Sequence, residues 1–141
     1  MAKKALTRKE FETLSEFRYR LRRFLRFSEQ VTRRNGITPL QYLLLLHVKG
    51  FPDRNQATVG DLAERLQAQH HGVVALISRC EKLGWVERRQ GQTDRRAVEV
   101  HLTASGERMV GRMAQLHRDE HLNPAGSLLL PQLQDLQVQE H

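Results

Sequence analysis

Between Thr7 and Arg34 the apolar residues fall at steps of three and four: Phe11, Leu14, Phe17, Leu21, Phe24, Leu25 and Val31, with Ser28 in the same register. That spacing predicts one long amphipathic helix. Asn35-Gly36 interrupts it. Thr38-Pro39-Leu40-Gln41 then opens a second helix, with Thr at the N-cap, Pro in the first turn and Gln completing a capping box. Ile37 and Tyr42 are spaced as a hydrophobic staple. Leu43, Leu44, Leu46 and Val48 predict a largely buried helix ending at Gly50. Residues 51–56, with Pro52 and Asp53, read as a surface loop.

A second capping box, Thr58 with Asp61, starts a short helix over Val59 to Leu66 that places Leu62, Ala63 and Leu66 on one face. Gln67, Ala68 and Gln69 make a turn. The next helix runs from His70 to Leu83, with Val73, Leu76, Ile77, Cys80 and Leu83 as its apolar stripe and Gly84 as its stop. A strand over Trp85 to Arg88, a polar loop over Arg89 to Arg96 and a strand over Ala97 to Leu102 follow. In the last of these, Val98, Val100 and Leu102 alternate with Glu99 and His101. Thr103 caps a further helix bearing Met109, Met113 and Leu116, which Asn123-Pro124-Ala125-Gly126 should weaken. Ser127 can cap a final segment carrying Leu128, Leu129, Leu130, Leu133, Leu136 and Val138.

Helix, turn, helix and a hairpin with a basic tip form the winged helix-turn-helix plan, in which the second helix enters the DNA major groove. The expected fold is therefore mainly α with a small β-hairpin wing. We expect one domain over 1–141, with the winged unit at 38–103. The outward positions of the second helix are His70, His71, Ala75, Ser78, Arg79 and Lys82. Those at the wing are Arg88, Arg89, Asp94, Arg95 and Arg96.

Leu62-Ala63-Glu64-Arg65-Leu66, Cys80 through Arg89, Thr93-Asp94-Arg95-Arg96-Ala97-Val98 and Leu102-Thr103-Ala104-Ser105-Gly106 closely resemble the MarR family of bacterial transcription regulators. The Asp-x-Arg wing followed by Leu-Thr-x-x-Gly is the most specific part. The resemblance implies a dimeric repressor or activator of operator DNA, with 7–34 and 104–141 as dimerisation helices. It also implies release of DNA by a small, often phenolic, ligand. It gives Arg96 the minor groove and Asp94 the task of orienting it. By analogy Arg18, Arg22 and His47 would face an aromatic or anionic effector. His70-His71-Gly72 departs from the Ser and Thr usual at the start of the family's recognition helix, so the operator cannot be transferred from a relative.

Charge modifies this picture. The chain has 141 residues, a net charge of +7 and a pI near 10.3, which favours a polyanionic partner. Up to Arg34 there are eleven bases and four acids, so the remainder is neutral overall. Net charge alone does not locate a DNA site. Local clustering does: Arg79, Lys82, Arg88, Arg89, Arg95 and Arg96 outnumber Glu81, Glu87 and Asp94. From Asp119 onward there are acids and no Lys or Arg, complementary to the basic first helix. A homodimer with a palindromic double-stranded operator is the expected assembly. The stripe of the first helix is then partly intermolecular; its alternative is an intramolecular core helix.

The remaining chemistry points away from catalysis. There is no phosphate-binding glycine loop, Gly-x-Ser-x-Gly or His-Glu-x-x-His, and no enzyme activity, cofactor or metal is expected. His70 and His71 point about 100° apart on a helix, unsuited to one shared metal. They either contact DNA or merely start the helix. His117 and His121 have zinc-ligand spacing without a third ligand nearby. Cys80, the one cysteine, sits on the apolar stripe as a small core residue. No run of about 18 apolar residues offers a membrane span. The first residues lack a secretion signal, which gives a cytoplasmic expectation. The competing class is a winged-helix module for RNA or protein without operator specificity.

Overall fold

The computed structural model describes residues 4–122. In chain order these carry α1 (Arg8–Arg34), α2 (Pro39–Lys49), β1 (Gln56–Thr58), α3 (Val59–Leu66), α4 (His70–Lys82), β2 (Val86–Gln90), β3 (Val98–Leu102) and α5 (Ala104–Leu122). The expected mainly helical fold with a small antiparallel sheet is present. The leucine-rich segment read over 127–138 lies outside the described residues. The described residues fall into two units, Val31–Leu116 and the combination of 4–30 with 117–122.

In the unit Val31–Leu116 the helix ends follow the residues that cap them. The Thr38 and Thr58 hydroxyls each accept a hydrogen bond from the backbone N–H three residues on, while the Gln41 and Asp61 side-chain oxygens accept one from the backbone N–H of the cap. The end of α4 is a left-handed turn at Gly84, φ 82°, with Trp85 N–H donating to Cys80 O and Gly84 N–H to Glu81 O. Leu44, Leu45, Val48, Leu62, Val73, Ile77, Cys80, Val100 and Met113 are fully buried in one core, joined by Trp85, Val86 and Val110. Burial of so many aliphatic side chains, about 1.5–3 kcal/mol each, is what holds the short elements together.

The sheet has the order β1-β3-β2, antiparallel throughout, with Ala57 opposite Val100 and Arg88 opposite Val100 on the other side. Residues 56–58 form a strand rather than the end of a loop, since pairing with β3 supplies a partner that local sequence does not reveal. Leu83 is 51% exposed although it belongs to the apolar spacing. It lies at the margin of the stripe, and the Gly84 turn brings Trp85 into the core in its place. Val98 is exposed too, because the outer end of β3 has left the core for the wing.

In the other unit, no α1 residue from 8 to 30 is buried. Phe11, Tyr19 and Leu25 are each more than half exposed, while Phe17, Leu21 and Phe24 are half-buried. His117 is buried, its ring Nε2 is 2.9 Å from Ser28 Oγ, and it meets the Phe24 and Phe27 rings edge-on.

Candidate nucleic-acid interface

The surface of α4 is set by its inner stripe. Val73, Leu76, Ile77 and Cys80 are buried, which fixes the rotation of the helix and turns His70, His71, Ala75 and Arg79 to the outside. Gln69 at the N-cap makes no side-chain cap hydrogen bond. The first-turn amides and the positive end of the helix dipole therefore stand next to two exposed histidines, a setting that suits an anion. Ala75 keeps the outer face low, so a large surface can approach the backbone.

The wing is a stiffened loop. Gly91 N–H donates to Ala97 O at 2.9 Å, and Ala97 N–H to Asp94 O at 3.0 Å. A Cβ on Gly91 would overlap the Asp94 carbonyl oxygen, so this turn requires glycine. Gln90 Nε2 adds a bond to Arg95 O at 3.0 Å. Asp94 Oδ1 accepts the Arg96 backbone N–H at 3.0 Å and stands 3.8 Å from Arg96 Nε. The Arg96 side chain is 97% exposed. So exposed a pair adds little stability, and its consequence is the direction in which Arg96 points.

Arg89 lies along β2 with its guanidinium on Glu87 Oε1, at 2.9 Å from Nε and with a second bond from Nη2. The neighbouring strand carries His101 Nε2 at 3.0 Å from Glu99 Oε1. Arg88 departs from the expectation of an outward base. Its guanidinium donates to Glu81 Oε1 at 3.0 Å, Ser78 Oγ at 2.6 Å and Val74 O at 3.2 Å. Ser78 Oγ itself donates to Val74 O at 3.0 Å. Both residues named as outward contacts are thus engaged inside the protein. The signal for this was Glu81, seven residues before Arg88, which only the turn at Gly84 brings alongside.

The fold is similar to that of AbsC, a MarR family transcriptional regulator from Streptomyces coelicolor, which aligns with a TM-score of 0.75 at 20% identity over 94% of this chain and 88% of that one. A MarR family model matches residues 35–97, from the end of α1 to the far side of the wing. Over that stretch the chain is similar to the MarR family. An S. aureus MepR mutant bound to an oligodeoxyribonucleotide aligns with a TM-score of 0.64 at 20% identity over 87% of this chain and 85% of that one. A Thauera aromatica protein with the description "Putative transcriptional regulatory protein for hcr operon" is 28% identical over 92 residues. Those residues are 65% of this chain and 54% of the relative, so the chain spans about half the length of the curated protein it matches.

The other candidate residues lie on α1, α2 and α4. Arg18 and Arg22 are exposed and line a shallow depression with Tyr19, Leu21 and Leu25, all on α1. His47, on α2 in the unit Val31–Leu116, is half-buried, and desolvation followed by the field of Arg65 lowers its pKa. Cys80 is wholly buried, and burial pushes its thiol up to about 11, the opposite of a reactive cysteine. Among the described residues no cluster of three or more His, Cys, Asp and Glu is placed to hold a metal ion. No described helix is long and apolar enough to cross a membrane.

Proposed function

We propose that this chain is a sequence-specific, double-stranded DNA-binding transcription regulator that acts in the cytoplasm as a homodimeric repressor on a palindromic operator. The observation that carries this reading is the pairing of two exposed arms on one winged unit. One arm is the outer face of α4, with His70, His71, Ala75 and Arg79; the other is the wing, with Arg95 and Arg96. A helix of this kind enters the major groove, while a wing arginine suits a narrow, A·T-rich minor groove. The nucleic-acid complex of the MepR mutant supports the same direction. Dimerisation is supported by the exposed Phe11, Leu14 and Leu25 of α1, which a solitary chain would leave in water. A small aromatic or anionic effector facing Arg18, Arg22 and His47 rests on the family resemblance alone.

The test is selection from random duplex DNA with the full chain, followed by sequencing and by titration of duplex RNA at the same salt. The expected outcome is enrichment of a palindrome with half-sites about one helical turn apart. A-form RNA has a major groove that side chains cannot read, so weak RNA binding should accompany it. Failure to enrich any DNA sequence, with equal or tighter RNA binding, would favour the RNA-binding alternative.

A further inference from the structure

Arg88 reaches across from β2 and touches three positions on α4: Val74, Ser78 and Glu81. The first and last of these positions are seven residues apart, about 10 Å along a helix axis. Glu81 holds Arg88 twice, since its Oε2 also accepts the Arg88 backbone N–H at 3.3 Å while Oε1 takes the guanidinium. Ser78 completes the site by donating to Val74 O and accepting from Arg88. The Arg88 side chain is 31% exposed, against 97% for Arg96. Only two residues separate Arg88 from Gly91, where the wing turn begins.

We propose that Arg88, held by Glu81 and Ser78, is a positioning residue that fixes the wing relative to the recognition helix and so sets operator specificity without contacting phosphate. This rests on the DNA-binding reading above. Two groove-reading arms discriminate only if both are in register with the duplex at once, and α4 and β2 are otherwise joined by a three-residue turn at 83–85. A guanidinium suits the task because its planar fork carries several donors in fixed directions. Lysine is a point charge that can keep one of the three partners. Paired with Glu81, Arg88 also adds little to the field that attracts DNA, and the salt dependence should not count it.

The experiment compares Arg88→Lys, Glu81→Gln and Ser78→Ala with Arg89→Ala in the full chain. Each variant is titrated with the selected operator and a scrambled duplex at several salt concentrations, and wing amides at 90–97 are followed by hydrogen exchange without DNA. Arg88→Lys should lose on the order of tenfold on the operator and little on the scrambled duplex, keep the wild-type salt slope, and exchange faster at the wing. Glu81→Gln is decisive in sign. If Arg88 is a strut, loosening it weakens operator binding; if Arg88 is a phosphate contact, releasing it from Glu81 strengthens binding to both duplexes. Equal losses of Arg88→Lys on both duplexes, with a salt slope lower by about one, would overturn the proposal. Should the wild-type chain bind no duplex, the DNA reading fails by itself. Hydrogen exchange still decides the strut, which unchanged wing protection in Arg88→Lys would refute. Ser78→Ala removes no charge and guards against misreading a general electrostatic effect.

Discussion

The backbone carbonyl of Trp85 occupies the space that a side chain on Gly106 would need. A Cβ there would lie 2.9 Å from the Trp85 carbonyl carbon and overlap the oxygen. The same oxygen accepts the Thr103 N–H at 3.0 Å. Thr103 Oγ1 donates to Gly84 O at 2.5 Å and accepts the Gly106 N–H at 3.0 Å. The Leu-Thr-x-x-Gly motif is therefore a joint. It seats the first turn of α5 on the exit from α4, and the spacing from Thr103 to Gly106 is that of an N-cap and its third helical residue.

Gly106→Ala should accordingly destabilise the fold by about 3 kcal/mol, the upper range for forcing atoms into a packed site, because the opposing group is backbone and cannot swing away. Gly111 lies on the same helix with nothing within 4 Å of a would-be Cβ. Gly111→Ala should be neutral or stabilising by up to about 1 kcal/mol through helix propensity. Urea unfolding of the two variants checks the pair. Similar midpoints for both would mean that the joint yields and that the close approach carries no constraint.

Much of this was legible in the residues, for an identifiable reason. Caps and stops are local: Thr38 with Gln41, Thr58 with Asp61, Gly36 and Gly84 announce the helix ends within four residues, and each was found where the sequence placed it. What escaped depends on partners distant in sequence. β1 is three residues long with only Ala57 buried, too short for periodicity to show, and it exists by pairing with β3 some forty residues later. Phe51, read as loop, carries the guanidinium groups of Arg54 and Arg65 over its ring at 4.7 and 5.2 Å, a contact no local rule anticipates. On the candidate surface of α4, the exposure of His70, His71, Ala75 and Arg79 was legible because helical phase alone sets it. Arg88 and Ser78 were misplaced because phase does not reveal that a strand will cross the helix at that point.

Cys80 should make stability fall at alkaline pH. Burial raises its thiol from the ordinary 9.0 to about 11. Below about pH 9 folded and unfolded chains both hold the proton, and the contribution is fully present. Between 9 and 11 the unfolded chain releases the proton first, so stability declines as pH rises through that window. In the native protein near pH 8, a thiol reagent should label Cys80 only as fast as the chain opens. Rapid stoichiometric labelling under native conditions would contradict the burial described.

The proposed dimer makes a separate demand on α1. Phe11 is 59% and Leu25 is 53% exposed. In a monomer, Phe11→Asp or Leu25→Asp should change stability by no more than about 0.5 kcal/mol, as surface substitutions usually do. In a dimer that buries them, either change should shift sedimentation at micromolar protein toward the monomer, and operator affinity should fall with it. An unchanged sedimentation coefficient in both variants would place the dimer contact elsewhere or remove it.

The last prediction separates the wing tip from its base. The Arg96 side chain is 97% exposed, and Asp94 holds its backbone N–H and flanks its guanidinium. A long cation presented in this way suits the negative potential of a narrow minor groove, so its contribution should depend on local DNA shape. Arg89, by contrast, lies on Glu87 and must share its charge with any phosphate it meets. Arg96→Ala should cost operator sites about 1–3 kcal/mol, most where the flanks are A·T-rich, and scrambled duplex less. Arg89→Ala should weaken both duplexes by similar factors and lower the salt slope by at most about one. Asp94→Ala should resemble a milder Arg96→Ala, since it frees the arginine without removing it. His71→Ala and Arg79→Ala should instead change the preferred bases inside each half-site, because both sit on the exposed face of α4. Binding series on operator and scrambled duplexes at several salt concentrations read all of these together. If Arg96→Ala weakens both duplexes to the same degree, the wing tip is an electrostatic anchor, and shape reading must be assigned to another residue.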